Sequence, residues 1–92
     1  GMGNGHGIEA SVGNRKVVSE LNRKIPVQEE GVVIVKVLVN PDGKVINANA
    51  RATSVKLKQV AEKEAYKVRF NKVSSLTENE EGTITFRFKM NY

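Results

Sequence analysis

The chain has 92 residues, of which 39% are hydrophobic, and its 15 Lys and Arg against 10 Asp and Glu give a net charge of +5. This length supports one small domain with a single modest core. No apolar run approaches about 20 residues, which excludes a membrane-spanning helix within the chain, and the absence of cysteine excludes disulfides and thiolate metal sites.

Glycine dominates the start of the chain. Residues 1–14 contain five glycines and few apolar side chains, so we predict a flexible linker there and a folded domain over residues 15–92. His6 has neither a second His nor a Cys beside it, so no metal site is expected in this linker. Lys16 to Ser19 is predicted to form a short N-terminal strand, and residues 21–30 a connecting segment.

A β-hairpin is the clearest local pattern. The β-branched run from Val32 to Val39, the turn Asn40-Pro41-Asp42-Gly43 and the continuation from Lys44 to Ala52 predict two antiparallel strands. Both faces of the first strand are mostly apolar. This favours a central strand, with the helix on one face and either the N-terminal segment or a second copy of the chain on the other. In the second strand, strict alternation places these residues on one face, where small side chains let a helix approach closely: Ile46, Ala48, Ala50 and Ala52.

A helix is predicted after the hairpin. Thr53 or Ser54 can cap its first turn by accepting a hydrogen bond from a backbone N–H group. Phe70, just after the helix, is expected to close the core. The apolar residues that recur at helical spacing are Leu57, Val60, Ala61, Ala65 and Val68.

The last strand, Thr83 to Tyr92, alternates between apolar and polar residues. We expect it to pair with the first hairpin strand and to lie at the edge of the sheet, unless the N-terminal strand or a dimer mate covers it. The fold class is therefore α+β: a three-stranded, mainly antiparallel sheet made of the hairpin and the final strand, one helix packed on one face, and a short N-terminal strand. The apolar face of the last strand carries Ile84, Phe86, Phe88 and Met90, and the polar face carries Thr83, Thr85, Arg87, Lys89 and Asn91.

The residue inventory argues against catalysis. With a single His, no Cys and serines that have no evident base partner, nucleophilic chemistry has no visible machinery, and no glycine loop has the context needed to hold a phosphate. We therefore predict no enzyme activity, no cofactor and no metal. Nucleic-acid binding is not predicted either, because the cations are spread along the chain and only five residues are aromatic.

A binding role uses what the chain does contain. An unpaired edge strand presents free N–H and C=O groups, to which an extended peptide can add as a further strand. The predicted partner-binding residues are therefore Thr83, Thr85, Arg87, Lys89 and Asn91. The residues alone leave an alternative open, in which the charges of Arg87 and Lys89 protect the edge from aggregation.

Four segments, taken in order, carry a family resemblance. They are Glu30-Gly31-Val32-Val33-Ile34-Val35, the hairpin Asn40-Pro41-Asp42-Gly43-Lys44-Val45, a helix with Ala61 and Ala65 that ends in Val68-Arg69-Phe70, and Gly82-Thr83-Ile84-Thr85-Phe86-Arg87-Phe88. Together they resemble the C-terminal domain of TonB-type energy transducers over residues 31–92. Gly13-Asn14-Arg15 after a Gly/Asn-rich stretch is similar to the versions found in Bacteroidetes.

This resemblance implies a function. The domain is expected to lie in the periplasm, joined to the inner membrane by a helix upstream of these residues. It is expected to bind a short segment of a TonB-dependent outer-membrane receptor by β-strand addition on Thr83 to Asn91, and to transmit energy from the proton gradient. The alternative is a non-energised periplasmic module of the same fold that serves as a structural, homodimerising or adaptor domain.

Overall fold

A computed structural model describes residues 7–19, 27 and 29–89. These residues form a four-stranded antiparallel sheet with one helix, which confirms the α+β class. The strand order across the sheet is β1-β4-β2-β3. The elements in chain order are β1 (Gly7–Ser11), β2 (Gly31–Val39), β3 (Val45–Arg51), α1 (Val55–Ala65) and β4 (Glu80–Phe88).

The predicted hairpin is confirmed, and its turn is held from both sides. The backbone N–H of Gly43 donates to the Asn40 carbonyl at 2.9 Å, and the Asn40 side chain accepts from the Lys44 N–H, also at 2.9 Å. Gly43 has a φ of 91°, a conformation that glycine adopts without strain. A side chain at this position would also collide with the backbone carbonyl oxygen of Phe70, 1.9 Å from where its Cβ would lie.

A β-bulge in β3 places its first side chains on the faces opposite to those predicted. Leu38 lies opposite Asn47, but Val39 lies opposite Val45, so Ile46 is an extra residue in β3. The side-chain alternation therefore shifts by one residue at this point. Val45 is buried at 2% exposure and Ile46 is 43% exposed, which is the reverse of the predicted arrangement. Beyond the bulge, Ala48 and Ala50 face the core as expected.

The helix packs across β2 and β3. Ser54 caps it, since its hydroxyl accepts from the Leu57 N–H at 3.2 Å. The helix ends at Ala65, earlier than the spacing of apolar residues indicated, and Val68 is buried in the segment that follows. Phe70 is buried at 3% exposure and closes the core as expected. The residues that α1 buries are Leu57, Ala61 and Ala65.

The prediction of a linker over residues 1–14 is wrong for residues 7–12. Residues 7–11 form β1, which pairs with β4, and Val12 is buried in the core at 1% exposure. His6 lies outside the described residues. Alternating apolar side chains at Ile8, Ala10 and Val12 outweigh the glycines around them, because β4 offers a row of backbone partners.

The predicted N-terminal strand from Lys16 to Ser19 is reduced to one bridge. Val17 pairs with Phe70 outside the main sheet, and the Val18 N–H donates to the Arg69 carbonyl at 2.9 Å. The strand that extends the main sheet is β1, which lies earlier in the chain. Of the predicted connecting segment 21–30, residues 21–26 and 28 lie outside the described residues, while Val27 packs against the core.

The face of the sheet opposite α1 is open. Val32 and Ile34 of β2 point to this face and are 58% and 52% exposed. Of the two covers considered, the N-terminal segment or a second copy of the chain, the described residues 7–11 do not cover this face, because they join the sheet edge as β1. The domain therefore has two layers, with one buried face and one solvated face on the sheet.

Candidate functional site

The predicted partner-binding residues lie on β4 and just beyond it, but β4 is not an edge strand. Its residues 83–87 pair with β1 on one side, and its whole length pairs with β2 on the other. Thr83, Thr85 and Arg87 lie opposite Ser11, Glu9 and Gly7. Lys89 is exposed one residue past the end of β4, and Asn91 lies outside the described residues. β4 is thus an interior strand. The exception left open for the last strand, that an N-terminal strand covers it, applies, but the covering strand is β1 and not Lys16 to Ser19.

The direction in which the backbone groups of each strand point follows from two hydrogen bonds. In an antiparallel sheet, the backbone N–H and C=O groups of successive residues point alternately to the two sides of a strand. The Asn40 N–H donates to the Lys44 carbonyl, so Asn40 points toward the β3 side. The Ala50 N–H points away from β2, because it donates to the side chain of Glu62 at 2.8 Å.

The hydrogen bonds of Asn40 and Ala50 give the same alternation along β2, which can then be followed to β4. Val35 lies opposite Ala50, whose backbone groups point away from β2, so those of Val35 point away from β3 and toward β4. Ile84 lies opposite Val35 on β4, so the backbone groups of these two residues point toward each other. The backbone groups of the next residues on β4, at Thr83, Thr85 and Arg87, must then point toward β1. The residues predicted from the sequence are therefore those whose backbone groups β1 satisfies.

The same alternation describes β1. Gly7, Glu9 and Ser11 direct their backbone groups to β4, while those of Ile8 and Ala10 point outward, away from the sheet. Among the described residues, no hydrogen-bond partner is found for these outward groups. Within the part of the chain that the structure describes, the outer side of β1 is thus the open edge of the sheet on this side.

The opposite edge, at β3, is obstructed. The Glu62 carboxylate, on α1, reaches over the edge and accepts the N–H of Ala50 in the middle of the strand. An added strand would have to displace this half-buried carboxylate and provide a substitute for its hydrogen bond. The two edges of the sheet therefore differ: the β1 side is open, and the β3 side is closed by a charged side chain.

Charged and apolar side chains are mixed on the open face of the sheet. Glu9 and Arg87 form an exposed ion pair between β1 and β4. Toward the middle of the sheet, a shallow depression of about 540 Å³ is lined by Val32, Ile34, Lys36 and Arg51, among other residues. The face thus carries more positive than negative charge beside two exposed aliphatic side chains.

Metal-binding clusters are not found in the described part of the chain. No group of three or more His, Asp or Glu side chains there could hold a metal ion. Two serines have structural roles: Ser54 caps α1, and the Ser19 hydroxyl accepts from the Arg69 N–H at 2.9 Å. No helix in the described residues is long and apolar enough to cross a membrane.

Sequence reasoning missed β1 and Glu62 as parts of this site. For β1, the alternation of Ile8, Ala10 and Val12 was a usable signal. For Glu62, no sequence signal exists, since its role depends on how α1 lies across β3. Comparison with known proteins adds no assignment: no protein-family model, no curated protein and no solved structure matches this chain.

Proposed function

We propose that this chain is the non-catalytic, partner-binding domain of a TonB-like energy transducer. It would act in the periplasm, joined to an inner-membrane anchor, and would take up a segment of an outer-membrane transporter as an additional strand. The single observation that carries the proposal is the inequality of the two sheet edges. Strand addition needs a row of backbone groups that a partner can reach. Among the described residues, the outer side of β1 offers such a row without a side chain across it, whereas Glu62 lies across the β3 edge at Ala50.

The resemblance to TonB-type domains supports the same side of the sheet. It points to the last strand, β4, whose outer backbone row at Thr83, Thr85 and Arg87 faces β1. A partner segment on this side would continue the order of the sheet either by replacing β1 or by pairing with its outer edge. Both arrangements leave α1 and the hairpin unchanged.

Backbone amide chemical shifts test this proposal. The protein is titrated with synthetic peptides taken from the segments that precede the plug domains of outer-membrane transporters. We expect shift changes in β1 and in residues 83–88, with none in β3 beyond those of a non-binding scrambled peptide. Shift changes confined to β3, or none with any of the peptides, would contradict the proposal.

A second candidate function is homodimerisation through the open face. The exposure of Val32 and Ile34 favours it, since large apolar side chains grouped on one face mark many interaction surfaces. Against it, a symmetric dimer would bring Lys36 and Arg51 close to the same cations of the second copy. Sedimentation equilibrium distinguishes the two functions: a dimer that Ile34→Lys dissociates favours this candidate, and a monomer at every concentration excludes it.

A further inference from the structure

β1 is weakly held compared with the segment that follows it. No residue of β1 is fully buried, and β4 is its one strand partner among the described residues. Ile8 and Ala10, both half-buried, contribute about 1 to 2 kcal/mol together by burial of apolar surface. Glu9 contributes an exposed ion pair, which adds little.

The next segment is anchored independently of β1. Val12 is buried in the core at 1% exposure, and the Arg15 side chain, 2% exposed, donates to the carbonyls of Asn71 and Asn40, each at 2.9 Å. Val17 adds a backbone bridge to Phe70. β1 can therefore leave β4 by rotation of the chain between Ser11 and Val12, while the rest of the domain keeps its contacts.

The residues of β4 beside β1 determine which side chains fit at each position of the strand that pairs there. Its position opposite Phe86, on the helix side, holds the apolar residue Ile8, and the position opposite Ile84 holds the small residue Ala10. Between them, on the open face, Glu9 pairs with the Arg87 guanidinium. An occupant of this place needs an apolar, an acidic and a small residue in succession, in an extended conformation antiparallel to β4.

We propose that β1 is a built-in occupant of the strand-binding site on β4, and that a partner segment with the same apolar–acidic–small pattern displaces it. This inference rests on the proposed function and adds to it the kind of peptide that is bound. A partner can bind this site only while β1 is undocked. The apparent dissociation constant is therefore the intrinsic one divided by the fraction of time that β1 is undocked. β1 thereby keeps weakly matching segments out.

Two proline variants test whether β1 competes with the partner. The Glu9 N–H points to β4, so Glu9→Pro removes a hydrogen bond of the β1–β4 pairing and undocks β1. The Ala10 N–H points outward, so Ala10→Pro is the matched control with β1 retained. The probe is a capped peptide with the sequence of residues 7–12. We expect it to bind Glu9→Pro about tenfold more tightly than the wild type or Ala10→Pro, as expected if β1 is docked nine-tenths of the time. Equal affinity for all three proteins would overturn the proposal.

A reversible crosslink separates displacement from addition to the outer edge. Glu9 and Thr85 are directly opposite on the open face of the sheet, where Glu9 is exposed and Thr85 half-buried, at a spacing that suits a disulfide. Because the natural chain has no cysteine, Glu9→Cys with Thr85→Cys gives one defined crosslink. We expect the oxidised form to lose binding of the transporter peptides and the reduced form to regain it. If both forms bind equally, displacement is wrong while strand addition at the outer edge stands. If the reduced form, Glu9→Pro and the wild type all fail to bind, the proposed function itself is wrong.

The acidic preference has its own readout. In the Glu9→Pro background, a probe with Lys in place of Glu should bind several-fold more weakly, because it places a cation beside Arg87. Adding Arg87→Glu should reverse the order of the two probes. An unchanged order would overturn the assignment of Arg87 as the residue that selects an acidic partner.

Discussion

Arg15 and Glu80 form an ion pair between the N-terminal segment and the start of β4, with 2.8 Å from Nε to Oε1. The terminal nitrogens of the same guanidinium donate to the backbone carbonyls of Asn71 and Asn40. One buried side chain thus joins the N-terminal segment, the hairpin turn and the strand that carries the proposed site.

Replacing Arg15 should therefore destabilise the whole domain. Arg15→Met leaves Glu80 without its partner and two carbonyls without their donor. We expect a loss of about 2 to 4 kcal/mol in the free energy of unfolding, somewhat below the range for fully buried pairs because Glu80 keeps 30% side-chain exposure. Urea denaturation measures it. The control is Arg69→Met at an exposed position, where a change within about 0.5 kcal/mol is expected.

Gly82 should control the docking of β1. A Cβ there would lie 2.3 Å from Val12 Cγ2 and 2.4 Å from the Ser11 carbonyl oxygen, so Gly82→Ala must push this part of the chain away. Hydrogen exchange of the Glu9 and Ser11 amides should accelerate, since these groups pair with β4. Gly7→Ala is the control, because its Cβ would be in ordinary contact, 3.6 Å from Arg87. Unchanged protection in Gly82→Ala would show that the close approach is not required.

Glu62 should determine whether the β3 edge stays closed. Glu62→Ala removes the acceptor of the Ala50 N–H, and we expect faster exchange of this amide with a loss of about 1 kcal/mol in stability. Glu62→Gln keeps a side-chain oxygen able to accept the bond, so its exchange rate should stay close to that of the wild type. If both variants match the wild type, the hydrogen bond does not protect the edge.

Gly43 should be the most sensitive position of the hairpin. Gly43→Ala combines a φ of 91° with a Cβ 1.9 Å from the Phe70 carbonyl oxygen. We expect a loss of more than about 2 kcal/mol in the free energy of unfolding, or failure to fold. The backbone of Phe70 cannot move away without breaking the 2.8 Å hydrogen bond that its N–H donates to the Gly43 carbonyl. Thermal denaturation measures the loss. Asp42→Ala, at the exposed neighbouring turn position, is the control and should melt close to the wild type.

The hairpin, the helix and the alternation of β4 could be predicted because each depends on local chemistry. Pro41 and Gly43 define a turn, Ser54 defines a helix start, and the alternation from Ile84 to Phe88 defines a strand with one buried face. These features need no knowledge of distant residues. The pairing of β4 with β2 also followed from the order of the elements.

The features that the sequence did not reveal depend on distant contacts. β1 is a strand because β4 lies beside it, although glycines at positions 7 and 13 make its surroundings resemble a linker. The bulge at Ile46 reverses the facing of Val45, and strict alternation has no means of locating such an insertion. For Thr83, Thr85 and Arg87, the polar face was predicted correctly, but not the strand that covers their backbone groups.

β1 also has a consequence for solubility. The segment from Thr83 to Phe88 alternates threonine or arginine with isoleucine or phenylalanine. An exposed strand rich in such residues readily pairs with identical strands of other molecules. By occupying the outer row of β4, β1 presents a short edge of five residues instead. A chain that begins at Val12 should therefore self-associate in a concentration-dependent manner, so that five inconspicuous residues keep this sheet from growing.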